Sequence, residues 1–197
     1  KYFRRISSTL AVAILLMPII SVVVPQTASA LTGDGSVENP FQIANCDDLR
    51  AMDDIDGQES SYFELTASFS CSSGGDFEPI GKDGNGWDYD PLMGGLDGNG
   101  FTISDVTIND SNNAGLFYGL YGAHVHDLTI SNIVINGFTN AGSLAGFSTN
   151  NDERATNLEN ISVNGSINGG YSQVGGVVGS AVYTTVDNVV ANVAITS

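Results

Sequence analysis

Three glycine-framed segments in the second half of the chain constrain the fold more than any other feature. They are residues 114–119 (AGLFYG), 141–146 (AGSLAG) and 174–179 (VGGVVG), and their last glycines stand 27 and 33 residues apart. Each is followed by a stretch in which apolar and polar residues alternate, at 125–135, 158–167 and 186–195, and a related stretch at 101–108 precedes the first. Period-two alternation marks a strand with one buried face. Units of this length bury that face only by stacking on their neighbours. No helical pattern between them is long enough for a crossover, so the spacing predicts a parallel β-solenoid rather than a sandwich or propeller. Leu128, Ile130, Ile133 and Ile135 are expected to stack on Leu158, Ile161, Val163 and Ile167, and these on Val189, Val193 and Ile195. The glycines belong at corners, where positive φ or close backbone approach excludes a Cβ. Asn132, Asn160 and Asn188 each precede an apolar residue of this pattern and are expected to form one amide ladder at a corner.

The first thirty residues carry a different signal. Lys1, Arg4 and Arg5 form a basic start, residues 10–24 are an apolar run, and Ala28, Ser29 and Ala30 supply a small-x-small cleavage pattern. A secretory signal peptide over 1–30 is expected. A membrane anchor is the competing reading, but the run contains Pro18 and falls short of the roughly 20 residues of a spanning helix. Removal of this segment leaves three basic residues, Arg50, Lys82 and Arg154, against 22 acidic ones. So acidic a chain repels nucleic-acid phosphates and anionic membranes, which are bound through Lys and Arg. Export also makes the two cysteines interpretable. Cys46 and Cys71 are expected to form one disulfide, the simplest use of a pair in an oxidising compartment, with a free-thiol or metal role as the alternative.

Residues 31–96 read as an N-terminal cap with a loop-rich entry, and 97–197 as repeats that continue beyond the chain given. Within the cap, residues 40–43 are extended. Asn45 then caps a helix that carries Leu49, Met52 and Ile55 on one face, with Asp47 and Asp48 at the positive end of its dipole and Gly57 as its stop. Residues 62–65 return as a strand, close enough to Cys71 for the disulfide to pin the helix to it.

Four features offer chemistry. Asp83, Asn85, Asp88 and Asp90 gather side-chain oxygens in one loop, as calcium requires. The EF-hand spacing fails, because Asp88 stands where glycine is needed, and a solvated turn is the competing reading. Trp87, the one tryptophan, and Tyr89 form an aromatic pair able to meet a glycan or protein surface, unless Trp87 folds down as a lid. His124 and His126 flank Val125 and project to one side of a strand. With no third ligand placed by the sequence, they read as a polar outer face rather than a metal pair. Catalysis has little support: the basic residues are scattered, carboxylates such as Asp53, Asp54 and Asp56 are too common to be informative, and no zinc-peptidase or nucleophile-elbow motif occurs. Asparagine glycosylation motifs start at Asn109, Asn160 and Asn164.

Taken together, the glycine-framed segments resemble the GLUG repeat of exported bacterial surface proteins, which also stands beside some immunoglobulin-A-cleaving metallopeptidases. The resemblance extends over residues 39–197. Its opening motifs match residues 39–43, 45–49, 63–66, 77–81 and 97–104, in order. Two departures stand out: Ser68, Phe69 and Ser70 replace an Asp-Ile-Asp of the family, and the 141–146 core is shifted. The resemblance implies a right-handed parallel β-helix on a surface protein, with adhesion the usual role, and supplies no catalytic residues. The resulting expectation is an all-β chain, a right-handed β-solenoid with one short α-helix in its cap. It is expected to be a non-enzymatic, secreted or cell-surface stalk or adhesive module of a larger protein, monomeric and facing an extracellular protein or glycan. No cofactor is expected beyond the calcium reading. The alternative is the accessory region of an exported peptidase or glycan-active hydrolase whose catalytic domain lies elsewhere.

Overall fold

A computed structural model of the protein describes residues 31–55, 57–82, 89–151, 154–169 and 172–196. The expected signal peptide lies outside them. The described residues are mostly β, with one short α-helix. Strands β1 (Phe41–Ile43), β2 (Tyr62–Leu65), β3 (Phe69–Ser70) and β4 (Gly95–Asp97) come first. They are followed by β5 (Thr102–Ser104), β6 (Thr107–Asn112), β7 (Phe117–Tyr121), β8 (His124–Gly142) and β9 (Ala145–Thr149). The last are β10 (Thr156–Asn168), β11 (Ser172–Gly175), β12 (Val178–Ala181) and β13 (Thr184–Thr196). One sheet runs β1-β2-β4-β8-β10-β13, with β3, β5, β6 and β11 attached to it, and β7, β9 and β12 form a second. Every pair of named strands is parallel. Among the described residues no helix is long and apolar enough to cross a membrane.

Helix α1 (Cys46–Arg50) starts where its cap predicts, with Asn45 Oδ1 accepting from the backbone N–H groups of Asp47 and Asp48 at 2.9 Å each. It is shorter than the apolar spacing suggests. After Arg50 the chain tightens into a 3-10 turn, Ala51–Asp54, and Ile55 is already extended. Burial explains the early stop: Leu49 and Met52 are fully buried, so the first turns have found their core before a third is needed.

The strands that follow the glycine-framed segments fall where alternation predicts. Their inward rows, Val125, Leu128, Ile130, Ile133 and Ile135 on β8 and Leu158, Ile161, Val163 and Ile167 on β10, are buried. The rows stack as expected, with Ile161 beside Leu128, Val163 beside Ile130 and Ile167 beside Ile135, while Leu158 lies beside Val125 and Ile133 faces Gly165. Setting Leu158 beside Leu128 instead would put Ile161 beside Ser131 and break the inward row. The expected amide column does need correction. Asn160 donates to Asp127 Oδ1 at 2.9 Å and Asn188 to Asn160 Oδ1 at 2.8 Å, whereas Asn132 belongs to a different corner and donates to Asp105 Oδ1 at 2.7 Å. A third column links Asn168 to Asn136 at 3.0 Å and Asn136 to Asn109 at 2.6 Å.

At these corners the repeat glycines meet the close-approach expectation, a Cβ on Gly146 standing 2.3 Å from the Asn113 backbone, and the left-handed backbone falls to Asn and Asp. Asp105, Asp127, Asn132, Asn160 and Asn188 carry the positive φ, between 50 and 58°, while the last glycines of the three repeat segments do not. Short Asn and Asp side chains tolerate the left-handed region and bond locally. Replacing Asn160 with Ala is therefore expected to cost about 2 kcal/mol, from the left-handed backbone and the lost amide bonds, and Asn160→Gly roughly half as much, because glycine restores the backbone term. Urea unfolding midpoints check the order; equal losses would show that the amide bonds alone matter.

Candidate functional site

The disulfide forms as expected, joining Cys46 at the head of α1 to Cys71 just after β3, with their Cα atoms 5.2 Å apart. Trp87, Asp83, Asn85 and Asp88 lie outside the described residues. Of that loop's candidates Tyr89 and Asp90 are described. Tyr89 is half exposed, and its ring lies 5.6 Å from Tyr118 and 5.7 Å from Phe147. Gly119 makes this aromatic cluster possible, since a Cβ there would stand 2.2 Å from the Phe147 ring.

A second cluster forms around the two histidines. Val125 is fully buried, so His124 and His126 turn outward at the start of β8. Parallel pairing with β4 sets Gly95 beside His124 and Asp97 beside His126. Pairing with β10 sets Glu159 on the other side of His126, and Glu64 of β2 lies beside Asp97. A groove of about 600 Å³ runs over these positions, lined by Glu38, Glu64, Asp97 and both histidines among others, with no Lys or Arg in its lining.

His126 Nδ1 stands 3.0 Å from Asp127 Oδ2 and 3.5 Å from Asp97 Oδ1. The His124 ring lies against His126 with centroids 4.4 Å apart, and its Nε2 is 3.7 Å from Glu159 Oε2. The histidine hydrogen bond holds the Asp127 carboxyl below its ordinary range, with a smaller contribution from the Asn160 amide. Asp97 Oδ1 also accepts from the Asn99 backbone N–H at 2.7 Å. Sequence reasoning found the histidines but not their carboxylates. Asp127 is adjacent in the chain, and the sign that it turns toward His126 is its left-handed backbone, φ 53°. Asp97 is supplied only by the pairing of β4 with β8.

Elsewhere, Asp53 accepts from the Gly81 N–H at 2.7 Å, and loss of solvation around its carboxyl pushes it up to about 6. The three Lys and Arg side chains among the described residues are engaged separately. Lys82 pairs with Asp110 at 2.6 Å, Arg50 lies 4.7 Å over the Phe77 ring, and Arg154 bonds the Met93 carbonyl.

The fold and these sites define a parallel-stranded β chain with a polar, acidic outer face. No family model matches it. It is similar to halomucin of Haloquadratum walsbyi (strain DSM 16790 / HBSQ001), at 29% identity over 159 residues, which cover 76% of this chain. The matched part is 2% of halomucin's length. In structure it is similar to a crystal structure of a candidate immunoglobulin A1 protease from Bacteroides ovatus, with a TM-score of 0.51 and 16% identity over 83% of this chain and 69% of that one.

Proposed function

We propose that this chain is a non-enzymatic module of an exported surface protein, a right-handed parallel β-helix that acts as a stiff spacer and adhesive platform. The observation that carries the reading is the register. β10 is paired in parallel with β8 on one side and with β13 on the other, so each layer seats on the last and length grows with the number of layers. Similarity to a small part of a far longer protein, halomucin, supports the same reading. Arg50, Lys82 and Arg154 each hold separate parts of the chain together, as a spacer needs.

The adhesive surface is the aromatic cluster at Tyr89. One face of a half-exposed ring, backed by Tyr118 and Phe147, offers a stacking platform for a sugar or an aromatic side chain. A glycan array probed with the exported protein tests it. Binding that falls at least tenfold in both Tyr89→Ala and Trp87→Ala is the expected result; binding unchanged in both would remove the platform and leave the spacer role.

A further inference from the structure

We propose that Asp97, His126 and Asp127 form a binding site for a divalent transition-metal ion of the zinc and copper class. The three candidate ligand atoms, one imidazole nitrogen and two carboxylate oxygens, lie within 4.8 Å of one another. Bonds of about 2.0–2.1 Å at tetrahedral angles place ligand atoms roughly 3.3 Å apart. The two distances from His126 Nδ1, 3.0 and 3.5 Å, bracket that value. The geometry of the cluster is also one a cation completes. A single Nδ1 proton points at only one of the two oxygens, whereas an ion between them engages all three groups.

Three further observations point to a cation. The groove that contains Asp97 and His126 is lined by Glu38 and Glu64 as well and has no Lys or Arg in its lining, so its field concentrates positive ions. Asp127 is oriented from behind by the Asn160 amide on its other oxygen, the kind of support that metal ligands receive, and the Asn99 N–H fixes the Asp97 carboxylate through the same Oδ1 that faces His126. The cluster also sits on strands held by parallel pairing, with Asp97 and His126 in direct register. An imidazole with two carboxylates suits zinc, copper or nickel; calcium takes six to eight oxygens and gains nothing from the nitrogen.

Isothermal titration of the full chain with zinc chloride at neutral pH tests this. The expected result is one ion per chain, bound at least tenfold more weakly by His126→Ala, Asp97→Asn and Asp127→Asn, and little affected by His124→Ala or by excess calcium. Asn keeps the shape of Asp and tolerates the left-handed corner at 127, so the two Asn variants retain the fold, which circular dichroism verifies. Zinc should also raise the melting temperature of the wild type and not of His126→Ala. Absence of a stoichiometric site, binding indifferent to Asp97→Asn, displacement by calcium, or equal losses from His124→Ala and His126→Ala would each overturn the assignment.

Discussion

Substituting Gly146 by Ala is expected to destabilise the protein by about 3 kcal/mol, at the upper end of the usual range for overpacking. Gly146 lies on β9, in the second sheet, where β9 pairs with β7 on one side and β12 on the other. A Cβ there would stand 2.3 Å from both Cα and C of Asn113, which are backbone atoms. Asn113 has little freedom to retreat. Its N–H donates to the Thr139 carbonyl at 2.9 Å, its side-chain oxygen accepts from Asn140 at 2.7 Å, and its own φ is 47°. The equivalent contact recurs one repeat later, where a Cβ on Gly179 would stand 2.4 Å from Asn140 C. Gly100 is the control, with φ 74° and nothing within 4 Å of the added carbon. Gly100→Ala is expected to cost only the left-handed backbone term, roughly 1–2 kcal/mol. Denaturant midpoints of the two variants measure the difference, and equal losses would show that neighbouring layers slide apart to admit the methyl group.

Removing the disulfide should have a comparable effect. The double variant Cys46→Ala, Cys71→Ala reopens a loop spanning a separation of 25 residues, and chain entropy alone sets its cost at about 3.5 kcal/mol. For a chain of this size that is a fall in melting temperature of roughly 7–14 °C. Ala is the right replacement because both sulfurs are buried, at 8% and 2% residue exposure, and a serine hydroxyl would add a desolvation penalty. The loss should be concentrated at the N-terminal end, where α1 and β3 are tethered. β2 pairs with β1 and β4 and β3 with β5, whereas β10 pairs with β8 and β13, so amides of β10 should keep their hydrogen-exchange protection while those of β2 and β3 lose it. A uniform loss across the chain would show that the stack unfolds as one cooperative unit.

Much of the architecture is legible from local chemistry. Alternation marks Leu128, Ile130, Ile133 and Ile135 as inward-facing whatever lies next to them, because successive side chains of a strand point to opposite faces. Asn45 announces α1 through the two N–H groups its side chain accepts from. The two cysteines, an even pair, announce the disulfide. The candidate site was legible only in half: Val125 between His124 and His126 sets both imidazoles outward, and nothing local tells what faces them.

Layer register and the composition of the site were decided by tertiary structure. Leu158, Leu128 and Val125 all read as inward residues, and neighbours in the chain alone do not say which of the two Leu158 seats beside. The choice falls to Val125 because that alignment matches the left-handed corner of Asn160 to that of Asp127 and closes their amide bond. The same placement of β4 and β10 against β8 brings Asp97 and Glu159 to either side of His126. Which residues face inward is a property of neighbours in the chain, whereas what stands beside a side chain on the outer face depends on the summed fit of all the strands. The sequence by itself therefore determined the strands, their inner faces, the helix cap and the covalent tie. Only the assembled stack decided which carboxylates meet the histidines.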